Sequence, residues 1–171
     1  MKNHLMIPDP GYYTNYILKA PEGDILIQLE KQLTEVRNLY SSLSEVDGNY
    51  AYSEGKWSVK EILGHLMDAE RIFAYRILRF ARNDKTPLTS FEENDFVANS
   101  FFSERTIVDL LNEYELTRKA NLALFSSFND TELKRTGTAS NTELSVEQII
   151  YIIAGHERHH LGVLKERYDI G

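Results

Sequence analysis

Residues 84–102, DKTPLTSFEENDFVANSFF, contain Pro87 and show no sustained helical period, yet they separate two segments with strong helical signals. Helices joined by short loops must pack as antiparallel neighbours. A connection of this length, at about 3.3 Å per extended residue, can instead run back along a whole bundle. The spacing therefore predicts that the helices before and after it are parallel.

The helical signals are local and specific. From Asp24 onward Ile25, Leu29, Leu33, Val36 and Leu43 recur at helical spacing, which predicts a first helix to about Val46, before the turn DGN. The next segment opens GKWSVKEIL: Ser58 is an N-cap, Glu61 closes a capping box, and Trp57 and Ile62 occupy the positions of a hydrophobic staple. This second helix is expected to end near residues 83 and 84. Arg76, Arg79 and Arg82 lie near its C-terminus, where cations favour the helix dipole; anion binding is the alternative role for them. A third helix is expected from Ser103 to Phe128 through Ile107, Leu110, Leu111, Tyr114, Leu122 and Phe125. The fourth repeats the start signals of the second, with Ser145 as cap, Gln148 closing the box, and Leu144 and Ile149 as staple. Residues 1–22 hold three of the four prolines together with Tyr12, Tyr13 and Tyr16, and read as an irregular arm covering apolar surface. Residues 23–171 form one all-α domain of four helices.

The 171 residues suit a single domain. A net charge of -7 gives no overall attraction to nucleic acid or anionic membranes. No apolar run has the length of a signal-peptide core or of a membrane span, so the chain reads as cytoplasmic. Cysteine is absent, which leaves His, Asp and Glu as metal ligands and removes an internal thiolate from the chemistry.

GHERHH, residues 155–160, concentrates three histidines in the fourth helix. The stripe Val146, Ile149 and Ile153 continues onto His156 and His160, so both point inward, and in the second helix Ile62, Ala69 and Ile72 share a face with His65. His156 and His160, at i and i+4, can ligate one ion, with a third ligand from a neighbouring helix, where His65 is the other helical histidine. His159 is turned away from both. A core of hydrogen-bonded histidines is the alternative, since each buried imidazole nitrogen needs a partner. HERHH also matches the zinc-protease pattern H-E-x-x-H with Glu157 as general base. Too few residues follow His160 for a downstream third ligand, and no strand pattern is present to hold an extended peptide. Glu157 is then either a solvated helix residue or a group that reaches a metal-activated water. Asp68, one turn from His65, is the first candidate to orient an imidazole; its other role is as partner to a nearby Lys or Arg. Glu70 and Tyr151 are weaker candidates.

The WSVKEILGHLMD helix, the TPLTSF connection and the final helix with H-x-x-x-H running into HHLGVL resemble the DinB-like superfamily and, within it, the YfiT-like metal-dependent hydrolases. The resemblance covers about residues 25–171. It implies a four-helix bundle of up-down-down-up topology, a homodimer, and one divalent transition metal, Zn or Ni, on histidines matching His65, His156 and His160. Relatives include bacillithiol S-transferases and mycothiol-dependent isomerases, so the implied activity is either hydrolysis or transfer of a small external thiol such as bacillithiol to a small-molecule substrate. The competing reading is a non-enzymatic dimeric helical-bundle binding module whose metal is structural or adventitious.

Overall fold

The computed structural model describes residues 3–171. In chain order these form α1 (Thr14–Lys19), α2 (Ile25–Ser41), α3 (Glu45–Gly48), α4 (Val59–Ala81), α5 (Glu93–Ala98), α6 (Ile107–Phe125), α7 (Asp130–Leu133), strands β1 (Thr136–Ala139) and β2 (Thr142–Ser145), and α8 (Val146–Tyr168). Both capping boxes form. Ser58 N donates to Glu61 Oε2 at 2.6 Å and Ser58 Oγ accepts from Glu61 N at 3.2 Å. Ser145 and Gln148 repeat the pair at 2.7 and 3.1 Å.

The bundle consists of α2, α4, α6 and α8, with α2 and α4 each packed on both α6 and α8. Two groups of contacts fix the directions. α4 and α6 depart from one end, where Glu45 accepts from Lys60 Nζ at 2.6 Å and from Ile107 N at 3.0 Å. α2 and α8 finish at that same end: Tyr40 Oη donates to Val59 O at 3.1 Å, and Tyr168 Oη to Trp57 O at 2.6 Å. The order is therefore up-down-down-up, and the long connection does return along the bundle.

Several boundaries differ from expectation. The first helix stops at Ser41, because Ser44 and Asp47 build a separate capping box that starts α3. The connection contains α5, and the third helix begins at Ile107 behind the Thr106 cap and ends at Phe125. The arm is partly helical rather than irregular: α1 packs on α8, Ile17 is buried, and Gln148 Nε2 holds the preceding turn through Leu5 O and Pro8 O at 2.8 and 2.6 Å. The expected lack of strands is also corrected. β1 and β2 pair antiparallel with Thr136 opposite Ser145, around Ser140 and Asn141, both at positive φ. Leu88 joins β1 from the connection, donating to Thr138 O at 2.9 Å and accepting from Ser140 N at 3.0 Å.

Two apolar clusters fill the interior. One gathers Leu29, Phe73, Ile77, Phe80, Phe125 and Ile149; the other gathers Val36, Tyr40, Leu63, Leu110, Tyr114 and Leu164. On three bundle helices the change from one cluster to the other passes through buried polar residues: Gln32 on α2, Arg118 on α6, and His156 and Glu157 on α8. Glu70 occupies the corresponding level of α4.

Candidate metal centre

His65 projects from α4 and His156 and His160 from α8, so the antiparallel packing of those two helices is what assembles the site. His65 Nε2 is 3.0 Å from His156 Nε2, which is 3.2 Å from His160 Nε2. One nitrogen from each ring falls within 4.8 Å of the other two. A tetrahedral ion with metal–nitrogen bonds near 2.1 Å separates its donors by about 3.4 Å, so the cluster fits a single small divalent cation. His159, as expected from its direction, lies outside the group: its Nδ1 accepts from Lys19 Nζ at 2.9 Å.

Burial keeps these rings neutral rather than cationic. It holds His65 down to about 4, assisted by His159, and it keeps His156 and His160 well below the ordinary imidazole range, assisted by the neighbouring histidines. Neutral imidazole is the metal-binding form. Aromatic rings close around the cluster. Trp57 lies 4.7 Å from His65 and stacks on His160 at 6.2 Å, while Tyr16 and Phe73 approach His156 edge-on at 5.2 and 6.1 Å.

The cluster stands between two cavities. One, of about 210 Å³, is walled by His65, His156, Tyr13, Tyr16, Phe73 and Ser140 among others. The second, of about 270 Å³, is walled by His159, His160, Trp57, Ile62 and Tyr168 among others. Glu93, the first residue of α5, lines both. Desolvation, followed by the charge of Glu92, raises its carboxyl above the usual range. Sequence reasoning missed Glu93 because the connection carries no period that would aim it at the histidines.

A family model described as the DinB superfamily matches residues 28–164, which span most of the domain and all three histidines. The chain belongs to the DinB superfamily. A proposed metal-dependent hydrolase of Halalkalibacterium halodurans is 24% identical over 164 residues, covering 86% of this chain and 88% of the relative. Another, from Oceanobacillus iheyensis, is 22% identical over 141 residues, covering 82% of this chain and 81% of its own. In fold the chain is similar to YfiT from Bacillus subtilis, a proposed metal-dependent hydrolase with an unusual four-helix bundle topology: TM-score 0.70, 16% identity, 93% of this chain and 89% of that one. It is also similar to a mycothiol-dependent maleylpyruvate isomerase, with TM-score 0.68 and 12% identity over 86% of this chain and 61% of that one.

In this DinB superfamily member Glu157 departs from the expected role of a solvated helix residue. It is buried, and its Oε2 accepts from Tyr114 Oη at 2.5 Å and from Arg118 Nη2 at 2.7 Å. Arg118 holds Glu70 as well, donating from Nε at 2.8 Å and from Nη2 at 2.8 Å, and donates from Nη1 to Leu29 O at 3.1 Å. Glu157 thus belongs to an ionic cluster that joins α4, α6 and α8 behind His156, and it faces α6 rather than solvent. Its carboxyl is raised by burial, opposed by the Arg118 charge. Asp68 takes the second of its expected roles, with Oδ1 at 3.6 Å from Arg71 Nη1. Glu70 is likewise claimed, by Arg118.

Proposed function

We propose that the chain holds one divalent transition metal on His65, His156 and His160 and acts on a small-molecule substrate as a hydrolase or as a thiol S-transferase. The convergence of three neutral imidazole nitrogens, two on buried and one on a half-buried ring, at single-ion spacing carries this reading. An ion held by the histidines would lie between two cavities, with Trp57 and Tyr16 packed against the imidazole rings, and Glu93 would provide a carboxyl for proton transfer in the walls of both. Three protein ligands leave a coordination position open, and the ion there supplies Lewis acidity sufficient to make water or a thiol nucleophilic near neutral pH. The flanking cavities favour a site that takes a ligand over a purely structural ion, and turnover of thiol adducts or esters by the metal-loaded protein, lost in His65→Ala, separates an enzyme from a binding module.

The test is metal content combined with melting. Protein purified without a histidine tag is expected to carry close to one divalent ion per chain. His160→Ala should lose it and the associated stabilisation, which amounts to about 2.7 kcal/mol when free metal is a hundredfold above its dissociation constant. His159→Ala should retain both, with a chelator-sensitive melting temperature. Absence of metal from the wild type after incubation with Zn or Ni, or metal dependence lost in His159→Ala and kept in His160→Ala, refutes the assignment.

A further inference from the structure

Arg76 lies in α4 about three turns beyond His65 and is only 2% exposed. Its neighbours in that stretch follow the usual rule for arginine: Arg79 is paired with Asp84 and Arg82 with Glu132. The fully buried Arg118 is held by two carboxylates. Arg76 makes no ion pair among the described residues. Nη2 donates to Thr89 O at 3.0 Å and to Ser140 Oγ at 2.9 Å, and Nη1 meets Tyr13 Oη at 3.5 Å, the outer limit of a hydrogen bond. The Phe73 ring, 5.8 Å from the guanidinium carbon, attracts the charge without neutralising it. A full charge taken out of water and met only by neutral acceptors is costly, and proteins pair such charges when they can.

The surroundings show where a counter-charge would come from. Arg76 lines a cavity of about 530 Å³ between α4 and the connection, with Ile72, Pro87, Leu88, Phe91 and Phe96 among its apolar walls. Ser90 and Phe91 line both this cavity and the smaller one that contains His65 and His156. Tyr13 and Ser140, the partners of Arg76, are walls of that smaller cavity too. The Phe73 ring lies 5.8 Å from the guanidinium carbon and 6.1 Å from the His156 ring, which bounds the distance from cation to imidazole at about 12 Å.

We propose that Arg76 binds the carboxylate of a small amphipathic ligand whose apolar body lies against Phe91 and Phe96 and whose other end reaches the histidines. The assignment rests on the reading of the histidine cavity as a substrate site and adds to it the substrate class, a carboxylic acid with an apolar segment. Guanidinium is planar with several N–H donors, which suits a carboxylate, and the geometry leaves Nη1 the least committed.

The test uses protein stripped of metal and desalted, so that failure of the metal reading leaves its outcome untouched. Calorimetric titration compares 4-phenylbutyrate with 4-phenylbutan-1-ol, which share an apolar body and differ in the charged end. The wild type is expected to bind the acid about ten- to a hundredfold more tightly. Arg76→Gln should bind acid and alcohol with equal affinity, and Arg76→Lys should keep part of the preference. Because Arg76 also ties residue 89 to the hairpin turn, Arg76→Gln is scored only with a cooperative melting transition, and if it lacks one the wild-type and Arg76→Lys titrations decide. Equal affinity for acid and alcohol in the wild type, a preference undiminished in Arg76→Gln, a preference absent from folded Arg76→Lys where Arg76→Gln cannot be scored, or displacement of the acid by equimolar inorganic phosphate overturns the proposal.

Discussion

Replacing Gly155 by alanine places a methyl carbon 1.7 Å from the carbonyl oxygen of Tyr16, 2.5 Å from its carbonyl carbon and 3.1 Å from Ala20 N. All three are backbone atoms at α1, so no side-chain rotation relieves the overlap and the arm itself must shift. Alanine in a helix interior is favoured over glycine by about 1 kcal/mol. Against this, forced overpacking costs about 1–3 kcal/mol. If α1 lifts away, the burial of Leu5, Tyr13 and Ile17 is lost as well, at roughly 1.5–3 kcal/mol each, offset in part by the freedom the arm regains. The overlap alone therefore leaves a net destabilisation of up to about 2 kcal/mol, which any loss of the arm's burial raises, at about 2–4 °C of melting temperature per kcal/mol. The site should respond too. Tyr16 covers His156 and His159 at 5.2 and 5.8 Å, so a displaced arm uncovers the histidines, and a chelator should strip metal faster from the variant. Thermal melting, hydrogen exchange over residues 14–20 and chelation kinetics measure the three consequences. A variant with wild-type melting and an equally protected arm refutes the close approach of α1 to α8.

The remaining expectations concern protons and assembly. In metal-free protein the depressed histidines leave the unfolded chain to take up protons below about pH 6.5 that the folded chain refuses, so stability is complete above that pH and falls as pH drops toward 4. For His65 alone the gap between 6.5 and about 4 corresponds to roughly 3 kcal/mol, and the raised carboxyl of Glu157 acts in the opposite sense, so the net fall is shallower than three histidines would give. Urea titrations from pH 7.5 to 4.5 with no such fall would count against neutral buried histidines. Sedimentation at micromolar concentration is expected to show a homodimer that covers exposed apolar residues of α6 such as Val108 and Leu116, and a monomer throughout refutes it.

What could be read from the sequence was what is encoded locally. The starts of α4 and α8 were legible because cap, box and staple all lie within six residues of one another, and the parallel pairing of α4 and α6 followed from the length of the connection. The hairpin was not, because its turn uses Ser140 and Asn141 at positive φ without the glycine that usually marks such a turn. α1 escaped notice because its six residues hold few periodic positions and gain their order from docking on α8, at a contact that only a glycine at position 155 permits.

The site divides along the same line. His156 and His160 share a helix face by spacing alone, and one further helical histidine sufficed to complete the set. The partners of Glu157 depend instead on the rotation of α6 against α4 and α8, which brings Arg118 between two carboxylates about 40 and 50 residues away in sequence. That rotation has a consequence for the chemistry. Where the two apolar clusters meet, a bundle would ordinarily continue with apolar packing; here the level is occupied by Gln32, Glu70, Arg118 and Glu157, next to the histidines. A half-satisfied polar layer is worse than an apolar one, and here Gln32 Oε1 and Glu157 Oε1 have no partner among the described residues, so the bidentate Glu70–Arg118 pair and the Tyr114–Glu157 bond offset the cost only in part. They hold three of the four helices in one relative rotation, and the two that carry the histidines, α4 and α8, are among them. The ionic cluster therefore acts on the site through geometry: it holds His65 opposite His156 with their Nε2 atoms 3.0 Å apart, and Glu157 contributes to it as a strut through Oε2.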